Sequence, residues 1–334
     1  MPANRIRIDN LYAATKNDRM PALSQCVLML AGVAAALQTP PPALTPRPSQ
    51  EPVVATYVPE RVFDTRSRTF TDFEAMLAEL ARVDVVLVGE QHDDPNTHRL
   101  ESALLQGLVR RNVPVTVSLE MFERDVQPAL DAYLGGQNTE EDFLKTSRPW
   151  SRYSTDYRSL VEIAKDRSWP VIAANVPRKY ASEIAKTGIA SLSALPTAER
   201  ALIAGSLQCP KDAYFDRFAA SMGEHPGSAT AAEAASTSLA TIDRYYQSQC
   251  AKDETMAESI AGSFERHDGG PRLIVHFTGA FHSDFGTGTL ERVRLRLPGR
   301  RVVALSVLPL ASLDNLTPDG EDLKRAEYLV YTIK

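Results

Sequence analysis

The stretch DVVLVGEQHDD, Asp84 to Asp94, carries an unbroken aliphatic run from Val85 to Val88 into Gly89, and then at once a Glu, a His and two Asp. An apolar run of this length, closed by a glycine, reads as a strand buried on both faces, as in a parallel sheet covered by helices. Its exit carries the second signal. In open α/β sheets ligands bind outside the carboxyl ends of the strands, so Glu90 and His92 stand where chemistry gathers, while Asp93 and Asp94 suit the cap of a following helix.

The same rhythm extends outward. Upstream, TDFEAMLAEL has apolar residues at Phe73, Met76, Leu77 and Leu80, which is helical spacing, with Thr71 and Glu74 in capping-box relation. Downstream come a helix from about Asn96 to Arg111, the strand VTVSL, a helix from about Arg124 to Gly135-Gly136, an irregular RPWSRYSTD, the helix YRSLVEIAKDR, the strand PVIAAN and the helix KYASEIAKT. From 191 to 267 strands give way to helical periodicity. They return as RLIVHF, RVVALSV and EYLVYTI around the helix TLERVRLRL. This predicts an α/β fold, a mostly parallel sheet flanked by helices with a small α-helical subdomain inserted: 53–190 and 268–334 form the α/β domain, 191–267 the subdomain.

The 334 residues are 43% hydrophobic with a net charge of -5 and no Lys/Arg block, which argues against nucleic acid as a partner. Residues 1–38 read as a signal-peptide-like segment: Arg5, Arg7, Lys16 and Arg19 precede the apolar run Cys26 to Leu37, with a start at Met20 as an alternative. A proline-rich linker, 39–52, follows. The expected location is periplasmic or secreted, with membrane association as the alternative. Export leaves Cys209 and Cys250 as a pair, expected to form a disulfide worth roughly 4 kcal/mol; two buried free thiols are the alternative reading.

Polar and charged groups follow four predicted strands: GEQHDD at 89–94, EMFERD at 120–125, NVPRKY at 175–180 and TGAFHSD at 278–284. Parallel strands place all four on one sheet edge. Two carry the same skeleton, Gly89-Glu-Gln-His92 and Gly279-Ala-Phe-His282, in which the glycine is expected to turn the chain off the sheet. Two imidazoles and a carboxylate can hold a divalent metal with a position left for water. This makes His92, Glu120 and His282 candidate metal ligands and, with Arg178 as anion or oxyanion holder, candidate catalytic residues. The bland reading of the same groups is an ionic network that ties strand ends together.

VVLVGEQHDD, VSLEMFERDVQPALDAYLGG, W..Y...Y..LVEIAK, PVIAANVPR, YYQSQCAKDETMAESI and HFTGAFHSDFGTGTLERV, in that order from about Val54 to Val307, resemble the ChaN-like haem-binding uptake family within the Tiki superfamily. The resemblance implies an α/β domain with a helical subdomain, export, and haem bound through a tyrosine at a homodimer interface; an outer-membrane haem receptor is the partner such a role calls for. The superfamily also contains proposed metal-dependent hydrolases whose paired Gly-x-x-His, acidic strand end and Arg match His92, His282, Glu120 and Arg178. Members are often lipoproteins, whereas Ser24-Gln25 before Cys26 departs from the acylation signal.

A phenol ligates ferric iron as phenolate and gains from a nearby cation. Tyr245 and Tyr246 after Arg244, and Tyr153 and Tyr157 near Arg152 and Arg158, are the candidate haem ligands; helical packing residues are the competing reading of each. Arg178, Lys179, Lys252 and His225 are candidates for the propionates. Asp253 in KDETMAESI reads as the N-cap of a new helix, with a place facing the cleft as the alternative. His98, six residues after His92, does not have helix-face ligand spacing, and GTGTLE at 286–291 has Glu291 where a dinucleotide fingerprint needs its third glycine. Three function classes remain: haem carrier, metal-dependent hydrolase, and a binding module for a small anion through Arg178.

Overall fold

The computed structural model describes residues 58–223, 239–266 and 273–334; the signal-like segment, the linker and His225 lie outside them. Ala55–Lys334 forms one compact unit.

Eight strands make a single sheet: β1 (Glu60–Asp64), β2 (Thr69–Thr71), β3 (Val85–Glu90), β4 (Val115–Glu123), β5 (Val171–Asn175), β6 (Leu273–Gly279), β7 (Val302–Leu310) and β8 (Tyr328–Ile333), in the spatial order β2-β1-β8-β7-β3-β6-β4-β5. The six strands from β8 to β5 are parallel to their neighbours, and only the hairpin β1–β2 and its junction with β8 are antiparallel. The α/β class is as the aliphatic runs predict. The hairpin is an addition: ERVFD mixes charge with apolar residues on a half-exposed edge and lacks the continuous apolar run that marks the inner strands.

β3 shows why its sequence needs two helical layers. Val86 and Val88 join the core shared with α1 (Phe73–Leu80), α2 (Pro95–Arg110) and the helix Arg158–Asp166, through Leu77, Leu104, Leu108 and Leu160. Val85 and Leu87 point the other way, onto Ala257 and Ile260 of a long helix, Leu239–Arg266, and Leu290 and Val293 of the helix Gly288–Arg296. Alternate residues of one strand therefore feed two cores.

Local signals resolve in part differently from their sequence reading. The cap of α1 is Asp72, whose side chain accepts from the Ala75 N–H at 2.6 Å, while Thr71 closes β2. α2 is capped by Asp94, whose carboxylate accepts from the Thr97 N–H at 2.7 Å. YYQSQCAKDETMAESI is one uninterrupted helix, so Asp253 caps nothing; it lies on the buried stripe Tyr246, Cys250, Asp253, Ala257, Ile260. Cys209 and Cys250 form the disulfide, which ties the segment before the helix Ala213–Gly223 to the long helix one turn before Asp253. Among the described residues no helix is long and apolar enough to cross a membrane.

Candidate functional site

The carboxyl ends of β3, β4, β5 and β6 meet at a pocket of about 250 Å³ lined by His92, Glu120, Glu123, Trp150, Asn175 and His282, with Arg178 and Lys252 at its wall. Gathering these groups is a matter of register. β4 runs beside β6 as far as Leu119 opposite Phe277, then bulges against β5 before Glu123 meets Asn175. Glu120 stands where the ladder ends. Its carboxylate replaces the missing main-chain partner by accepting from the Gly279 N–H at 2.9 Å and the Thr278 hydroxyl at 2.6 Å.

The two glycines of the repeated skeleton do not turn the chain, contrary to the sequence expectation. Gly89 lies inside β3 and Gly279 ends β6 with φ -55, and neither has a left-handed backbone. Their role is close approach. A Cβ on Gly279 would sit 2.6 Å from His92 Nε2, and one on Gly89 would sit 2.6 Å from Ser283 Oγ, so each glycine makes room for the loop that follows the neighbouring strand.

His282 is 5% exposed and enclosed by carboxylates. Its Nδ1 is 2.7 Å from Asp253 Oδ1 and its Nε2 is 3.5 Å from Glu120 Oε1. Asp253 also accepts from the Tyr214 and Thr289 hydroxyls, both at 2.8 Å. Burial opposes charge on all three, yet their mutual attraction prevails: the imidazole is raised above its ordinary value by Glu120 and Asp253, and the Glu120 carboxyl is held down to about 2 by His282, His92 and the Thr278 hydroxyl. Asp253 is likewise lowered, chiefly by His282. His92 is far more open, with 44% of its side chain exposed; its Nδ1 is bonded to Glu90 and its ring meets Trp150 edge-on. His276, one strand position inside the sheet, bonds the Ser118 hydroxyl and is pushed down to about 4 by burial.

Of the predicted site residues, His92, Glu120, Arg178 and His282 share the pocket. Arg178 begins the helix Arg178–Thr187, largely exposed, 3.8 Å from Glu123. Glu120 Oε1 and His282 Nε2 are close enough to share an ion, and Asp253 behind Nδ1 is the kind of outer partner that orients a ligating imidazole. The full trio is looser. Among the described residues the three that bring one ligand atom each within 4.8 Å of the others are Glu90, His98 and Glu101, so His92 would have to swing inward to complete a set with Glu120 and His282.

The four candidate tyrosines separate by exposure. Tyr153 and Tyr157 flank a π-helical turn and are buried, Tyr157 donating to Glu90 Oε1 at 2.9 Å; Tyr246 is buried and donates to the Pro210 carbonyl at 2.8 Å. Burial raises all three phenols, which disfavours the phenolate. Tyr245 is 41% exposed on the long helix. Asp253, and the buried group His98, Glu101 and Asp156 behind the pocket, escape a reading of strand ends. Their one signal is a charged residue placed on an otherwise apolar helical stripe, as at His98 and Glu101 beside Leu104, Leu105 and Leu108.

The family model for "Haem-binding uptake, Tiki superfamily, ChaN" matches residues 76–293. Among solved structures, that of cofacial heme binding to ChaN of Campylobacter jejuni superposes with a TM-score of 0.59 at 17% identity, covering 82% of this chain and 97% of that one. Weaker likenesses are the RRSP effector domain of a MARTX toxin from Vibrio vulnificus, TM-score 0.38 at 18% identity over 71% of this chain and 36% of that one, and a mutant of the erythromycin esterase EreC, TM-score 0.42 at 14% identity over 82% and 83%. No curated protein matches the chain.

Proposed function

Since the chain belongs to the haem-binding uptake family of ChaN type in the Tiki superfamily, we propose that it is an exported haem-binding protein of iron acquisition, held in the periplasm or secreted, that receives haem from an outer-membrane receptor. The observation that carries the assignment of a ligand is Tyr245: of the four candidate phenols it alone stands open to a bulky planar ligand. A tyrosinate suits ferric iron, and the ligand supplies the chromophore by which its binding is read. Arg178 and Lys252, at the wall of the strand-end pocket, are the cations offered to its propionates. Cofacial haem binding in the Campylobacter relative supports a homodimer that brings two such faces together. Hemin titration should give a saturable Soret shift that is lost in Tyr245→Phe, with a hemin-dependent rise in mass by sedimentation. A featureless titration would sink the haem reading, and a full shift in Tyr245→Phe would move the ligand elsewhere.

A second reading rests on one arrangement, the Asp253–His282–Glu120 line facing the pocket. In a metal-dependent hydrolase of this superfamily, Glu120 and His282 with a reoriented His92 would hold a divalent ion that activates water, while Asp253 fixes the His282 ring and Arg178 receives the developing anion. Metal-dependent turnover of a model ester, abolished in His282→Ala, is its expected result; turnover that persists in that variant excludes it.

A further inference from the structure

Behind the pocket, β3 and α2 enclose a second constellation that neither reading uses. Glu90 and Glu101 have side chains with no exposure and His98 has 3%, and His98 Nδ1 stands 3.0 Å from Glu101 Oε2 and 3.8 Å from Glu90 Oε2. Two ligands about 2.1 Å from one tetrahedral ion lie about 3.4 Å apart, so both separations match the edges of a coordination polyhedron. The tautomer points the same way. His98 Nε2 faces two acceptors, the His92 carbonyl at 3.1 Å and Asp156 Oδ2 at 3.5 Å, so a ring with one proton keeps it there and offers Nδ1 to the carboxylates. Nδ1 stands at hydrogen-bond distance from Glu101 Oε2, and either a second proton or a metal ion is what can bridge the two.

Glu90 Oε2 and Glu101 Oε1 are buried with no donor group to accept from, although buried carboxylate oxygens are seldom left so. Without an ion, burial and the neighbouring Glu90 push the Glu101 carboxyl well up, and a proton shared with Glu90 takes the place of a cation. Glu90 spends its other oxygen on His92 and the Tyr157 hydroxyl. Asp156 is itself neutralised from the surface by Arg152, and the basic groups that touch the two glutamates are imidazoles, His92 on Glu90 and His98 on both. A divalent ion between them would satisfy the open oxygens and the lone pair together.

We propose that Glu90, His98 and Glu101 form a divalent-cation site of the zinc or manganese class, with His98 ligating through Nδ1 and Asp156 orienting its ring through Nε2. The site lies one bond removed from His92, since the same Glu90 carboxylate reaches both. An ion held there fixes that carboxylate, and with it the imidazole that lines the pocket.

The full chain, stripped with chelator and desalted, is loaded with Zn²⁺ or Mn²⁺, and retained metal is counted by mass spectrometry beside thermal unfolding. About one retained equivalent and a raised Tm are expected for the wild type, both lost in Glu101→Gln and in His98→Ala. His92→Ala, which spares all three ligands, retains the metal, and this separates the site from any ion held by Glu120 and His282. Hemin binding is read independently by absorbance, so failure here leaves the haem proposal standing and failure of haem leaves this one standing. A wild type that retains no metal and shows no metal-dependent Tm overturns the proposal whatever the variants do. So does Glu101→Gln that loads metal like the wild type, or that melts above the metal-free wild type when the wild type binds none, since a shared proton would then join the two glutamates.

Discussion

His92 and His282 end the same tetrapeptide skeleton after neighbouring strands, and the fold treats them oppositely. His282 is sealed between Asp253 and Glu120. His92 leans half-exposed over Gly279, held from below by Glu90. The repeat marks a common backbone need, a glycine where two segments approach closely. Against the pull of burial both imidazoles are raised above the ordinary value, His92 first by Glu90 two residues before it and His282 by Glu120 and Asp253 from distant segments.

The contrast between the two histidines is open to direct measurement. The largest effect is expected from Asp253→Ala, which leaves His282 buried with its Nδ1 partner gone and strips the Tyr214 and Thr289 hydroxyls of their acceptor. Breaking a buried pair in this way costs about 3–5 kcal/mol, to be read by urea unfolding, and a loss no greater than that of His92→Ala would erase the distinction between the two histidines. Reducing the Cys209–Cys250 bridge, which closes a loop of sequence separation 41, should cost up to about 4 kcal/mol. Because Cys250 sits one turn before Asp253, the NMR titration of His282 should move on reduction while that of His92 stays in place.

The pH dependence comes next in size and has two limbs of opposite sign. Glu120, depressed to about 2, contributes stability that is fully present above its unfolded value of about 4.3 and is lost as pH falls toward its folded one. His282, raised in the fold, contributes stability that is full below its unfolded value of about 6.5 and is lost as pH climbs through its folded one. The pair is therefore worth most between these unfolded values, and Glu120→Gln should flatten the acid limb of a stability profile. An unchanged acid limb in that variant would show that the carboxylate is not held as its contacts indicate.

His92→Ala should cost only about 1 kcal/mol, the scale of one net hydrogen bond, and Arg178→Ala should stay within about 0.5 kcal/mol, as befits an exposed side chain. Both should weaken hemin binding more than they weaken the fold if the pocket takes part in it. Calorimetric unfolding beside hemin titration checks the two together.

The sheet is largely legible because a strand buried on both faces is mostly apolar, as DVVLVG, VTVSL, PVIAAN and RLIVHF are, and the polar Ser118 and His276 inside two of them hydrogen-bond each other. The hairpin β1–β2 is not, since β1 places Glu60, Arg61 and Asp64 around only two buried apolar residues and the edge strand β2 is three residues long. The cap reading of Asp253 fails for a related reason, while its alternative, a place facing the cleft, stands: an acidic residue at a helical position looks like a cap until the stripe on which it lies is known to be covered. His98 is set aside in the sequence because six residues from His92 is not helix-face spacing; its partner is instead Glu101, three residues on and on the same buried helix face.

By itself, then, the sequence determined the alternation of strands and helices, the single edge on which His92, Glu120, Arg178 and His282 gather, and the family. These follow from periodicity and from the common direction of parallel strands, which are properties of local segments. Only the tertiary structure decided which histidine is buried, that Asp253 lies behind His282, that Tyr245 alone of the four candidate phenols is open, and that His98 meets two glutamates. Each of those depends on contacts between residues far apart in the chain, whose distances and shielding from water no local pattern encodes.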